Sequence, residues 1–187
     1  MYVIEVRALK AHELSGYEPQ LAEMLKATVD EGGAVGFVQP LSLDQAAAFW
    51  RELVFPEVEH GTRLLFVAVM TSDPAGTLEE LAGTVQLMLG LPANQPHRCE
   101  VAKMMVHPRW RQRGIASALM QGLESAAQEA DKWLITLDTR TGDAAERLYR
   151  SFGFEPAGII PDYALDPDQR NLHATTYMYK RLGDTRQ

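Results

Sequence analysis

Apolar and polar residues partly alternate along "YVIEVRAL" (2–9), and with its β-branched content the stretch predicts a strand. The period then lengthens. Leu21, Met24, Leu25 and Thr28 recur at helical spacing, which predicts a helix over 18–32 that stops at Gly32 and Gly33. Ser42 is the cap candidate for a second helix, expected to break at Pro56. "RLLFVAVM" (63–70) reads as a buried strand and "TSDPAG" (71–76) as a turn. "LAGTVQLMLG" (81–90) and "CEVAKMMVHP" (99–108) read as the next two strands. A helix follows at 114–130, with Ile115, Leu119, Leu123, Ala126 and Ala130 as its apolar stripe and Glu124, Gln128 and Asp131 facing away. "WLITLD" (133–138) is nearly all apolar, as in a strand covered on both faces. Asp143 can cap one more helix, with Glu146 as its box partner and Gly153 as its left-handed stop. "FEPAG" (154–158) and "HATTYMYKRL" (173–182) close the chain as strands. This order implies a mixed α/β sheet with helices on its faces.

Composition narrows the partners. The 187 residues suit one domain, 1–187, with a substantial core. A formal net charge of −7 opposes nucleic acid as the main partner and fits a cationic or zwitterionic small substrate better. Cys99 is the single cysteine, so no internal disulfide can form. The opening "MYVIEVRALKAHEL" lacks the continuous apolar core of a signal peptide, and no run is long enough to span a membrane. These features predict a cytoplasmic protein with no membrane partner. The histidines (12, 60, 97, 107 and 173) show no ligand spacing, so no metal is expected.

One stretch carries more chemistry than its neighbours. "RWRQRGIASALM" (109–120) stacks arginines against Gly114 between a strand and a helix. Unpaired N–H groups at a helix start, reinforced by Arg111 and Arg113, suit a pyrophosphate. The spacing alone is equally that of a solvated basic turn. Neither a Gly-x-x-x-x-Gly-Lys-Ser/Thr loop nor a Gly-x-Gly-x-x-Gly after a strand occurs.

"VHPRWRQRGIASALM" resembles the acetyl-CoA signature of the GCN5-related N-acetyltransferases, Arg/Gln-x-x-Gly-x-Gly/Ala, at every specified position of Arg111-Gln112-Arg113-Gly114-Ile115-Ala116. "CEVAKMMVHP" is similar to that family's fourth strand. "LDTRTGDAAERLYRSFGFEPAG" is similar to its second half. "EGGAVGF" and the tail "PDYALDPDQRNLHATTYMYKRL" resemble the tabtoxin-resistance type, although Asp162 stands where those relatives often carry glycine. The resemblance implies a mostly antiparallel central sheet, splayed between its fourth and fifth strands, with helices on both faces. It implies acetyl-CoA as cosubstrate. The main chain near Met104, Met105 and Val106 would pair with the pantetheine arm, and the amides of Gln112 to Ala116 would hold the pyrophosphate, with Ser117 adding a hydroxyl or packing on the helix.

The acceptor must lose a proton and the departing thiolate must gain one. Tyr149 is the implied acid; by periodicity alone it is a core tyrosine on a stripe with Ala145, Leu148 and Phe152. Asp138 ends "WLITLD", where its position alone suits a ligand site and a turn cap near Thr139 and Thr141 almost equally; the resemblance to the tabtoxin-resistance type, with the same Asp eleven residues before the Tyr, implies Asp138 as base or substrate anchor and ranks it first. Glu100 is the rival base that the resemblance implies, since it matches the strand position where histone-type relatives place theirs; from the residues alone it is equally a surface glutamate, sharing a strand face with Ala102, Met104 and Val106 unless a bulge shifts the register. The acceptor pocket is expected from the first two helices, the glycine loop at 32–36 and the tail around Tyr163. The resulting expectation is acetyl transfer to the amine of a small molecule, amino-acid-like or a lactam toxin. A peptide or protein amine, or a CoA-binding module without catalysis, is the alternative. A free strand edge near the C-terminus would allow a homodimer.

Overall fold

In the computed structural model, which describes residues 3–71 and 79–183, β1 (Val3–Ala8) leads through a 3₁₀ turn (Ala11–Glu13) into α1 (Leu14–Asp30). A loop crosses to α2 (Leu43–Ala48), π-helical turns (Phe49–Val54) and α3 (Phe55–Glu59). Then come β2 (Arg63–Thr71), β3 (Glu79–Met88), β4 (Arg98–Val106), α4 (Ile115–Glu129), β5 (Leu134–Arg140), α5 (Ala144–Ser151), β6 (Glu155–Leu165) and β7 (Leu172–Arg181). Beyond Thr71, the turn expected at 71–76 lies outside the described residues.

Together the strands form one seven-stranded sheet in the order β1-β2-β3-β4-β5-β7-β6. Every neighbouring pair is antiparallel except β4 and β5. That parallel pair is joined only from Arg98↔Leu134 to Glu100↔Thr136. Past Glu100 the two strands run on without pairing, so the sheet splays between them.

Two cores sandwich the sheet. On one face Leu119, Met120 and Leu123 of α4 meet Phe66, Ala68, Val85 and Val101. On the other, Leu21, Met24 and Leu25 of α1 and Trp50 meet Leu65, Val67 and Met105. Alternation along β2 divides its side chains between the two, as a strand period of two requires.

The differences from the sequence reading have local causes. Pro56 does not break the helix: it lies in the first turn of α3, where its missing N–H costs little. Ser42 caps α2 with a full box, its Oγ accepting from the Gln45 N–H at 3.1 Å while Gln45 returns a bond to the Ser42 N–H at 3.0 Å. At α5 the expected box is incomplete. Glu146 bonds the Gly142 N–H at 2.6 Å, and the Asp143 side chain caps nothing. On α4, Ala127 is the buried position where Ala130 was expected, and Glu124 is not solvated but pairs with Lys180 at 2.5 Å. β6 runs well past "FEPAG" as an outer strand and exposes Ile159 and Leu165. Asp162 lies on it at φ +48°, in the left-handed region where glycine is easiest and aspartate is tolerated.

Candidate functional site

The arginine-rich turn forms where β4 hands over to α4. Gln112 has φ +60° and Gly114 φ +78°. A Cβ at Gly114 would meet no other atom within 4 Å, so the turn needs its glycine for backbone conformation rather than for room. The first tertiary anchor is Trp110, 2% exposed, whose Nε1 donates to Glu80 at 3.0 Å. Ile115 plugs the first turn of α4 into the core at 1% exposure. The N–H groups from Gln112 to Ser117 donate to no main-chain acceptor; the ladder resumes with the Ala118 N–H to Gly114 at 3.0 Å. A concave run of donors at a helix mouth favours an anion.

The three arginines do different things. Arg109 pairs with Glu80 at 3.0 Å and stacks over Trp110. Arg111, half-exposed, is tied to Glu31 at the end of α1 at 2.7 Å. Arg113 stacks on the other contact of Trp110, 5.1 Å from its centroid, and has no carboxylate partner among the described residues. The donor set of free amides plus one uncommitted guanidinium fits a pyrophosphate group.

Beside this mouth, the divergence of β4 and β5 opens a cavity of about 420 Å³. Its walls include Glu100, Lys103 and Met104 of β4, Asp138 of β5, Tyr149 of α5, the loop at 34–38, and Tyr163 and His173 from the last two strands. α1 and α2 do not line it; the second-helix region reaches it only through Phe49, behind Lys103.

A one-residue bulge shapes the β4 wall. Thr84 pairs with Met105 but Gln86 with Ala102, and Lys103 sits in the bulge at φ +52°. The bulge overturns the unshifted face expected for Glu100, Ala102, Met104 and Val106. Met104 and Val106 instead pack with the core under α4, and Met105, 2% exposed, turns to the core under α1. Main-chain groups from Met104 to Val106 on the side facing β5 have no strand partner, and a linear amide chain could pair there.

The candidate proton-handling groups converge. Tyr149 is 5% exposed, packs its ring on Phe154 at 5.7 Å, and its hydroxyl makes no hydrogen bond to the described residues. Burial, then the nearby Asp138 carboxylate, push its phenol well above the ordinary tyrosine range, so it holds its proton. Asp138 does not end β5: the strand continues to Arg140, and Asp138 pairs with Tyr177 in the ladder. No hydrogen bond joins its carboxylate to the amides of Thr139 or Thr141, so it is not a turn cap. Its carboxyl titrates above the usual aspartate range because of desolvation, then Glu100, opposed by Lys103. Glu100 is more committed, bonded by Arg98 at 3.0 Å. Arg98 also donates to Thr136.

Some pocket residues had no motif to mark them. Arg140 pairs with Asp166 at 3.0 Å, and His173 Nδ1 lies 3.4 Å from the same carboxylate. Their separation in sequence hides this cluster. Lys103 did leave a signal, being the one charge inside the apolar run "VAKMMV". Cys99 is buried and its thiol is pushed up to about 12, chiefly by desolvation, which makes it a poor nucleophile. Among the described residues no cluster of three metal-ligating side chains forms, and no helix is long and apolar enough to cross a membrane.

A sheet split beside a helix mouth with free amides defines a class of fold, and comparison places the chain in it. Residues 61–156 match the family described as Acetyltransferase (GNAT) domain. The chain belongs to this family. It is 32% identical over 100 residues to an uncharacterized N-acetyltransferase, YedL, of Escherichia coli (strain K12); the match spans 52% of this chain and 60% of that relative. The fold is shared with a GCN5-related N-acetyltransferase from Kribbella flavida, at TM-score 0.73 and 22% identity, covering 96% of this chain and 98% of that one. It is shared too with yncA from Salmonella typhimurium, solved with its cofactor acetyl-CoA, at TM-score 0.74 and 16% identity, covering 98% and 96%.

Proposed function

We propose that the protein transfers the acetyl group of acetyl-CoA to the amine of a small, amino-acid-like molecule. One observation carries the reading: the unpaired amides of Gln112 to Ser117 open beside a cavity that Asp138, Glu100 and Tyr149 all face. Acetyl-CoA supplies an activated acyl group on a good leaving sulfur. The amides, with Arg113, hold its phosphates, and the edge of β4 from Met104 to Val106 that faces β5, where no strand pairs and the Val106 carbonyl accepts from Arg111 Nε at 3.4 Å, lines its arm. An ammonium cannot attack, so Asp138 takes the amine proton directly or through water, and Glu100, held by Arg98, keeps the wall negative toward the incoming cation. Tyr149, which retains its proton, donates it where the thiolate departs.

The family match and the neighbour solved with acetyl-CoA support the donor. The acceptor class rests on the pocket alone, and the lactam suggestion on the likeness of the tail. The test is thiol release by the purified protein with acetyl-CoA and a panel of amines: amino acids, a β-lactam-containing dipeptide, polyamines and lysine peptides. Release with an amino acid or the lactam supports the reading. Release only with lysine peptides would replace the small molecule by a protein amine. Acetyl-CoA binding without release from any amine would leave a binding module.

A further inference from the structure

We propose that Lys103 is the recognition point for an oxyanion on the acceptor, so that the pocket selects amines that also carry a carboxylate. This deepens the acetyltransferase reading and rests on it. Among the described residues, the pocket's arginine is engaged: Arg140 pairs with Asp166 at 3.0 Å, and His173 Nδ1 lies 3.4 Å from that same carboxylate. Among the described residues, Lys103 has no carboxylate within ion-pair distance, although Asp138 acts on it through space. Its ammonium rests instead between Phe37 and Phe49, 5.9 and 5.8 Å from their centroids, and the two rings meet edge to face at 5.1 Å.

An ammonium in such a place is costly to keep desolvated, and two aromatic faces offset only part of that cost. The backbone goes out of its way to put it there. The bulge places a non-glycine residue at φ +52°, and Lys103, the one charge in the apolar run 101–106, lines the cavity. Room is kept for it as well: a Cβ on Gly36 would come within 3.2 Å of Nζ. The pocket is thus polarised. Asp138, with Glu100 beside it held by Arg98, forms the acidic wall, and Lys103 supplies a cation with no ion-pair partner among the described residues. A zwitterion satisfies both, with its amine toward Asp138 and its carboxylate toward Nζ. A plain alkylamine leaves the ammonium unanswered.

The experiment compares each of the common amino acids as free acid and as its carboxamide, by thiol release, in the full chain and its Lys103→Met and Lys103→Arg variants. Acetyl-CoA affinity is measured in parallel by calorimetry. The wild type should prefer at least one free acid over its amide by tenfold or more in kcat/KM. Lys103→Met should close that gap through a rise in KM for the acid, with acetyl-CoA affinity unchanged. Lys103→Arg should keep part of it. A gap that survives Lys103→Met overturns the proposal. So does normal acetyl-CoA binding with no free acid preferred. Failure to bind acetyl-CoA overturns the acetyltransferase reading itself, and this one with it.

Discussion

The arginine-rich turn and the cavity in the sheet split, proposed above to hold the phosphates and the acceptor, lie side by side but are built by opposite means. The turn is contiguous, 111–117, and works with main-chain N–H groups that any sequence able to hold φ +60° and +78° would present. The pocket is assembled from side chains on β4, β5, α5, the loop at 34–38 and the last two strands. A main-chain site recognises a part common to many donors. A side-chain site can change residue by residue while the sheet stays the same. The first should therefore control cofactor affinity and the second turnover and choice of acceptor.

The sharpest way to break this division is a crossed pair of variants. Tyr149→Phe removes only a hydroxyl from the pocket. It should lower kcat about 10²–10⁴-fold, the range for losing a general acid, with acetyl-CoA affinity within about twofold by calorimetry. Gly114→Asp puts a side chain at φ +78° and a negative charge among the phosphate donors. Strain at such a position costs on the order of 1–3 kcal/mol, and charge repulsion adds to it. Acetyl-CoA affinity should fall at least about tenfold, since roughly 1.4 kcal/mol is a factor of ten. If Tyr149→Phe weakened cofactor binding as much as Gly114→Asp does, the two regions would not be separable.

A smaller effect should appear in the pH profile. The Asp138 carboxyl titrates above its ordinary range, so the acidic limb of kcat/KM should lie above the usual aspartate value of about 4. Asp138→Asn should abolish that limb and lower kcat/KM roughly tenfold or more. Lys103→Met removes a cation that favours the ionised form, so the limb should move to higher pH. The stability sign is the reverse of a salt-bridged aspartate. The folded protein keeps this proton to higher pH than the unfolded chain, so stability falls as pH rises from the ordinary range through the folded value. Denaturant melts of Asp138→Asn should lose that component. An acidic limb unchanged in Asp138→Asn would shift the base to Glu100.

The same division explains what was legible. The turn could be read because its information is local: arginines, a glycine and a helix start within a few residues. Ser42 and Gly153 were legible for the same reason, one as a hydrogen-bonding cap and the other at φ +82°. Of the cavity wall, Asp138, Glu100, Tyr149, the glycine loop and Tyr163 were legible in the sequence, Tyr149 only through the resemblance, since its periodicity alone marks a core residue. The bulge at Lys103 could not be read, because an extra residue is defined by its partner strand and not by its own. The length of β6 was hidden because an outer strand exposed on both faces has no reason to alternate, and Pro156 and Pro161 mask it further. Asp166, Arg140 and His173 meet only once β5, β6 and β7 have paired.

The smallest predicted effect tests the turn from within. Arg111 fills the specified arginine position of the signature and Arg113 a variable one, yet Arg111 is held by Glu31 at 2.7 Å while Arg113 rests on Trp110 without a carboxylate partner among the described residues. A guanidinium already paired must give up that partner, or share it, to reach a phosphate, and the pair's own worth at a half-exposed site is about 0–1 kcal/mol. An uncommitted guanidinium keeps its full charge-assisted hydrogen bond for the ligand, about 1.5–3 kcal/mol. Arg113→Ala should therefore raise the Kd for acetyl-CoA about tenfold and Arg111→Ala no more than about threefold. Raising the salt concentration should shrink the Arg113 effect, since exposed charges are screened. Equal losses would mean that Glu31 releases Arg111 on binding, and that α1 is coupled to the phosphate mouth rather than merely tied to it.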